Sequence, residues 1–304
     1  MNPTYCIERI KTEDGYHFLT RKKKIITTTS LLNYLQKLYV PPAYDKVFLT
    51  TNKNSYCYAI ALDKKNRKQY FYHKEWALIS RQNKINSLYQ LSQHIQKLKA
   101  DLKKMMSLPL FSETHGEKVL ISLLLHLMLY GNFRIGSEEG VRKYKTFGVS
   151  TLTKEHVHFI NKTTVIIEFN GKKNVINKTT LHSKRICKLL SDIIRENSNS
   201  TLFHLKTPFL QFRVTPGSVN DFLKAYGPTS TKVLRTWSVN IEYLKHLHET
   251  NSREKALALT AKQFHHSKTV CKNSYIFSEI YQSNIFSFNP NDIFIKFLSQ
   301  NKKL

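Results

Sequence analysis

The sequence predicts an α+β protein. A small sheet-rich N-terminal domain spans residues 1–78, and a larger, mostly helical domain with a short β-sheet or hairpin spans residues 79–304. Three observations lead there. Up to His73 the apolar side chains tend to alternate with polar ones, the period of half-buried strands. From Ile85 they step by three and four residues, the period of an amphipathic helix. Between two helical stretches a β-branched run meets Asn170-Gly171, a pair suited to the positive φ angles of a tight hairpin turn. The domain boundary is expected between Trp76 and Lys84. That stretch is not rich in Gly or Ser, so a short linker is expected.

Taken in order, Gly15 to Thr20 reads as a strand. Thr29 or Ser30 caps a short helix carrying Leu31, Leu32, Leu35 and Leu38, and Pro41-Pro42 ends it. Residues 47–50, 56–61 and 67–73 read as strands, with a turn at Asp63-Lys64-Lys65-Asn66. A long helix carries Ile85, Leu88, Leu91, Ile95, Leu98, Leu102 and Met105, and Pro109 stops it. Residues 117–130 are apolar nearly all round, which predicts a central helix closed by Gly131. The hairpin strands are 164–169 and 172–176, which puts Lys172 at or beside the tip. Helices are predicted over 181–196, from Thr215-Pro216 to Gly227-Pro228, after a cap at 229–231, over 253–260 and around Tyr275. The tail from Asn289 reads as a short strand or helix. There is no internal repeat.

A hydrophobic share of 41% makes this a globular chain rather than a disordered basic tail. Forty-eight Lys and Arg against 21 acids give a net charge of +27, which repels itself and calls for a polyanion. The basic residues run along the whole length rather than one amphipathic segment, which favours nucleic acid over a membrane surface. Cys6, Cys57, Cys187 and Cys271 show no CxxC spacing, so no zinc site is suggested, and scattered free thiols fit a reducing compartment. No signal peptide is read at the N-terminus. The longest apolar run, 119–130, is too short to span a bilayer. An intracellular, soluble protein is expected, needing no cofactor and no metal.

The stretch His265-His266-Ser267-Lys268-Thr269-Val270-Cys271-Lys272-Asn273-Ser274-Tyr275 holds a tyrosine among cations with no acid. A tyrosine attacks an anion usefully only when fixed cations hold the group attacked. In a chain this basic the natural anion is a phosphodiester. Many nucleases use metal held by carboxylates, and no such constellation is obvious here. Arg134, just after the central helix, and Arg235, on a capped helix, are the arginines that structure would hold in place. Nine residues of unbroken helix would put His266 and Tyr275 on opposite faces, at about 100° per residue. If both reach one phosphate the backbone must break between them. Ser267 is the natural N-cap of a helix starting at Lys268, with His266 in the loop before it.

Four motifs here, Arg134-Ile135-Gly136-Ser137-Glu138-Glu139, Phe147-Gly148-Val149-Ser150-Thr151-Leu152, Lys232-Val233-Leu234-Arg235-Thr236-Trp237 and Val270-Cys271-Lys272-Asn273-Ser274-Tyr275-Ile276, resemble catalytic motifs of the small type IB DNA topoisomerases. That group includes the poxvirus enzymes and their bacterial and giant-virus relatives. Pro41-Pro42-Ala43-Tyr44 and residues 67–76 resemble motifs of its DNA-clamping domain, and the matches run in order from about residue 15 to residue 280. The resemblance implies a tyrosine-recombinase/type IB topoisomerase-like fold and an ATP-independent relaxation of supercoiled duplex DNA. It implies that Tyr275 is the nucleophile of a 3′-phosphotyrosyl link, that Arg134, Arg235 and His266 hold the scissile phosphate oxygens, and that Lys172 is the general acid. Lys232 resembles a second lysine of the proton relay, and Asn240 a residue supporting the phosphate pocket. The partner implied is double-stranded DNA, clamped by a monomer, with no membrane. If the source is viral, the virion and the infected host cell are the expected locations.

Two departures stand out. The family usually has glycine before the active-site histidine, where this chain has His265. Gly140 fills the position at which poxvirus enzymes carry a tyrosine used in reading their cleavage site. Lys68, Tyr70 and Tyr72 fall on one face of their strand beside Arg67, and with Arg81 and Lys84 they are expected to contact DNA. Two other readings compete. A tyrosine recombinase usually carries histidine three residues before the second arginine, where Lys232 stands. A non-catalytic DNA-packaging protein would explain the charge but not the ordered motifs.

Overall fold

The structure is a computed structural model that describes residues 5–64, 66–283 and 289–303. It divides into two compact units, Met1–Asn83 and Lys84–Leu304. Each has its own apolar core.

The first unit is a five-stranded antiparallel sheet of β1 (Tyr5–Thr12), β2 (Gly15–Leu19), β3 (Asp45–Thr50), β4 (Cys57–Leu62) and β5 (Lys68–Tyr72), in the order β2-β1-β3-β4-β5. β1 went unread in the sequence because only Ile7 is buried on it, and Glu8, Arg9 and Lys11 mask the alternation. Helix α1 (Thr29–Lys37) adds Leu35 to the core of Ile7, Phe18, Val47, Leu49, Ala59 and Ala61. Its N-cap is Thr28, not Thr29 or Ser30, and the hydroxyl makes no capping bond. Of the expected turn at 63–66, Lys65 lies outside the described residues. Arg67 belongs to that turn, where Asp63 Oδ2 accepts from its Nε at 2.7 Å. On β5 the side chains of Lys68, Tyr70 and Tyr72 are exposed, while Gln69 and Phe71 are half-buried.

Helix α2 (Lys74–Met106) starts well before Ile85, so the expected linker at 76–84 is helical. Apolar periodicity reports only the buried face of a helix, and residues 74–84 contain neither Gly nor Pro to stop one. Its last core residue is Met106 rather than Met105. Helix α3 (Gly116–Tyr130) is buried on every side from Val119 to Met128, as its composition predicts. Gly131 caps it in right-handed geometry, and Asn132 (φ 57°) takes the left-handed position. Helix α4 (Glu138–Tyr144) is capped by Ser137.

Strands β6 (Val157–Asn161), β7 (Thr164–Asn170) and β8 (Ile176–His182) form an antiparallel sheet in that order. Asn170 pairs with Ile176, so the hairpin connection is the five-residue segment 171–175 rather than a two-residue turn. The left-handed residues are Lys173 and Asn174, and Gly171 sits at φ −92°. Glycine serves close approach instead, since a Cβ there would lie 2.1 Å from the Asn177 amide nitrogen. Lys172 opens the loop rather than a returning strand. Helix α5 (Lys184–Glu196) begins after Leu181 and His182, which belong to β8.

A two-stranded hairpin, β9 (His204–Lys206) and β10 (Gln211–Arg213), precedes α6 (Pro216–Leu223). Then come α7 (Thr231–Thr250), α8 (Arg253–Gln263), α9 (Lys268–Ser274), α10 (Ser278–Gln282) and α11 (Pro290–Asn301), which settles the tail as helix. Helix α7 packs on α3, α8 and α11, and its N-cap Ser230 accepts from Val233 N. The elements bearing Arg134 and Arg235 are thus anchored to the core of the second unit.

Leu124, fully buried in α3, reports on that core. Leu124→Ala is expected to lower the unfolding free energy by about 2–5 kcal/mol in a urea titration.

Candidate active site

Arg235 sits on the buried face of α7, only 7% exposed. A guanidinium that deep needs acceptors, because an unpaired buried charge is costly. It finds two backbone carbonyls. Nη1 donates to Asn132 O at 2.6 Å and Nη2 to Phe264 O at 2.5 Å. Asn132 follows the C-terminal end of α3 and Phe264 is the C-cap of α8, so both carbonyls stand where helix dipoles are negative. Its Nε has no hydrogen-bond partner among the described residues. Burial and the nearby Arg134 pull its pKa down to about 10, and Tyr275 partly opposes the shift.

Arg134 is held through its backbone. Val149 N donates to Arg134 O at 2.9 Å and Ser150 N to Ile135 O at 2.8 Å. This pairing presses Gly148 against Gly136, where a Cβ on Gly148 would lie 2.5 Å from the Gly136 Cα. Gly136 also has φ 87°, so the Arg-Ile-Gly and Phe-Gly-Val motifs are two sides of one close backbone contact. Arg134 Nη1 donates to His265 O at 3.4 Å.

Helix α8 ends in a Schellman motif. His265 N donates to Lys262 O at 3.1 Å, His266 N to Ala261 O at 3.0 Å, and His265 takes the left-handed position at φ 53°. The chain then turns, and Ser267 Oγ caps α9 by accepting from Val270 N at 3.3 Å. His266 lies before that helix, in the loop where the sequence reading puts it, and its ring stacks on Tyr275 at 4.9 Å and 8°. Tyr275 is the C-cap of α9 rather than part of its body, and it is half-buried. The Arg235 Cζ lies 5.8 Å from the Tyr275 ring centre.

The tyrosine backbone is pinned by two further side chains. Asn240 Nδ2 donates to Tyr275 O at 3.1 Å, and Asn240 Oδ1 accepts from Phe277 N at 3.5 Å. Lys84 Nζ donates to Ser274 O at 3.0 Å and lies over the Phe277 ring. Asn240 was expected to support the phosphate pocket and Lys84 to contact DNA, and here both side chains hold the backbone around Tyr275. Asn240 is fully buried with its amide spent on backbone, and Lys84 braces the Tyr275 segment. Spacing gives no sign of this. An asparagine inside a helix, where it is a poor former, is the one local hint.

The structure therefore brings Arg134, Arg235, His266 and Tyr275 together. Lys172, in the hairpin loop, and Lys232, on the first turn of α7, are exposed, and among the described residues neither makes a hydrogen bond or ion pair to those four. In the first unit, Lys68, Tyr70 and Tyr72 line a groove of about 720 Å³ with Lys46 and Tyr5, and Tyr72 stacks on Trp76 at 5.6 Å. Arg67 is turned toward Asp63 and Arg81 is half-buried on α2. Among the described residues, no three His, Cys, Asp or Glu side chains gather where they could hold a metal ion.

Nine buried side-chain N or O atoms lack a partner among the described residues, and four of them belong to Arg235, His265 and His266. Such orphans are rare in folded proteins, and a cluster of them marks a site made for something else. Burial, Arg235 and Arg134 push His266 down to about 3 and His265 to about 4.

The mixed α/β architecture, of many helices and several small antiparallel sheets, is the type IB topoisomerase fold. A family model described as the catalytic core of eukaryotic DNA topoisomerase I matches residues 68–273, and the chain belongs to that family of DNA topoisomerases, which are isomerases. The chain is similar to the DNA topoisomerase 1B of Acanthamoeba polyphaga mimivirus, 26% identical over 314 residues that cover 93% of this chain and 89% of the relative. It is also similar to the DNA topoisomerase 1 of Rabbit fibroma virus (strain Kasza), 26% identical over 234 residues that cover 71% of this chain and 68% of the relative.

Two outcomes follow from the geometry. Asn240→Ala frees the Tyr275 carbonyl and the Phe277 N–H, and is expected to slow DNA relaxation by roughly 10–100-fold through misplacement alone. Gel-shift affinity for duplex DNA should stay within about twofold. The histidine shifts predict a pH effect on stability. The unfolded chain binds more protons than the folded one from about pH 6.5 down to about 3, so stability falls as pH drops through that window. His266→Asn removes one such group, and its melting temperature should fall less than the wild type's between pH 7 and pH 5.

Proposed function

We propose that the protein relaxes supercoiled duplex DNA by cutting and resealing one strand, with Tyr275 as the nucleophile. The reading rests on one observation: two arginines and a histidine converge on a tyrosine, and the buried guanidinium is held by carbonyls rather than carboxylates. A carboxylate would neutralise the arginine, whereas a carbonyl orients it and leaves its charge for an incoming anion. The planar fork of arginine suits the two non-bridging oxygens of a phosphodiester.

In this mechanism the Tyr275 oxygen gives up its proton to solvent water and bonds to phosphorus while the bond from phosphorus to the 5′ oxygen breaks. Arg134, Arg235 and His266 hold the non-bridging oxygens. The product is a 3′-phosphotyrosyl link and a free 5′-hydroxyl end, which rotates before attacking back. One phosphodiester is exchanged for another, so the cycle needs neither ATP nor metal. Lys172 protonates the leaving oxygen once the loop over residues 171–175 seats on DNA, and Lys232 assists in the relay. The exposed loop of the free protein supports a general acid that arrives with its substrate.

The DNA partner accounts for the rest of the surface. A charge of +27 draws in the duplex, and the exposed face of Lys68, Tyr70 and Tyr72 offers one cation and two aromatic rings to phosphate and base. We read the protein as a monomer on DNA. No helix among the described residues is long and apolar enough to cross a membrane.

The test is plasmid relaxation in EDTA without ATP. Wild-type protein is expected to relax the plasmid in distributed steps and Tyr275→Phe to leave it supercoiled. Arg235→Ala should lose roughly 10²–10³ in rate, the usual cost of one electrostatic donor. Full relaxation by Tyr275→Phe would overturn the assignment.

A further inference from the structure

His265 is the residue that the mechanism leaves unused. It occupies the left-handed C′ position of the α8 Schellman motif at φ 53°. Glycine is the usual occupant there, and a side chain with a Cβ costs about 1 kcal/mol or more. Only its backbone serves Arg134, through the carbonyl, and glycine would supply that equally well. The imidazole therefore needs its own account.

The ring is fixed. It stacks on Phe133 at 5.8 Å and 17°, and it hydrogen-bonds the Gly131 backbone. Its Nε2 is buried and has no hydrogen-bond partner among the described residues. It lines, with His266, a cavity of about 840 Å³. The charged and titratable groups facing it are Arg134, Arg235 and His246, Lys262 of α8, Lys178 of β8, and His266. No carboxylate is among them, since the nearby acids Glu168 and Glu249 bind Lys178 and His246. The pocket is thus cationic, and it holds His265 neutral in the free protein through burial and the two arginines.

We propose that His265 is a second phosphate-binding imidazole, which takes up a proton from solvent as DNA enters and donates its Nε2–H to a phosphodiester oxygen beside His266. The step balances: a neutral imidazole gains one proton, its other ring nitrogen keeps the Gly131 bond, and no covalent bond changes. The anion neutralises the arginines that kept the ring unprotonated. DNA binding is therefore linked to proton uptake at this residue. The inference rests on the proposed DNA strand-transfer site and goes beyond it by adding a ligand and a pH dependence.

The experiment uses Tyr275→Phe protein, which cannot cleave, and a linear duplex. Affinity is compared with and without His265→Gly from pH 6 to pH 9. Glycine suits the left-handed backbone, so His265→Gly should melt no lower than its parent, and His265→Asn, which also tolerates that conformation, is a second non-titrating control. The parent is expected to bind about tenfold tighter than either variant at pH 6 and within about twofold at pH 9. Calorimetry in buffers of different ionisation enthalpy should show roughly one more proton taken up by the parent below pH 7. An affinity ratio that is flat across pH, or equal proton uptake, overturns the proposal and leaves His265 a helix cap. Failure of the wild type to relax plasmid strikes the underlying reading instead, and wild-type relaxation run in parallel separates the two.

Discussion

The guanidinium of Arg235 is the constraint from which the second unit is organised. A charge that deep in the protein tolerates few environments, because desolvation costs several kcal/mol even after relaxation. The fold meets it with the carbonyl of Asn132, beyond the end of α3, and that of Phe264, at the end of α8. Both must stay where they are. Helix α3 is buried on every side to bring its C-terminal end to this point, and α8 stops at Gln263 so that Phe264 turns its carbonyl inward. Arg134 is then set by the Gly136–Gly148 contact, and His266 by the reversal of the chain after α8. Shifting any of these would strand a buried charge, so packing and electrostatics enforce the same geometry.

The same arrangement separates a site from a salt bridge. Carbonyl partners leave net positive charge in a low-dielectric pocket, which lowers the proton affinity of both histidines and leaves polar atoms unpaired. Free protein bears this as lost stability in acid. In the proposed reaction the gain is an anion site whose donors need little reorganisation when charge develops on phosphate oxygens. Asn240 and Lys84 act on the other partner, holding the peptide groups on both sides of Tyr275 so that its ring stays against His266.

Much of this was legible in the sequence where periodicity or spacing reports directly on packing. The stretch at 117–130, apolar nearly all round, reads as a central helix. The nine-residue gap from His266 to Tyr275 calls for a break if both reach one phosphate, and Ser267 caps the helix that follows it. What escaped depended on contacts that the apolar pattern does not report. β1 is legible only through its pairing with β2 and β3, since its outward face is charged. The Asn170-Gly171 pair suggested a two-residue turn, but Gly171 is there to let Asn177 approach, a contact invisible to local reasoning. Lys84 reads in the sequence as a phosphate contact, and its bond to a backbone carbonyl 190 residues away has no local sign.

The central claim is that the cation cluster directs Tyr275, and no other nucleophile, at a strand of DNA. Trapping the protein on a duplex with detergent, digesting it and sequencing the nucleotide-bearing peptide by mass spectrometry tests this most directly. The account predicts one adduct, on Tyr275, joined through a 3′-phosphate, with the other broken end a 5′-hydroxyl that polynucleotide kinase can label without phosphatase. An adduct on another residue, or one joined through a 5′-phosphate, would contradict it.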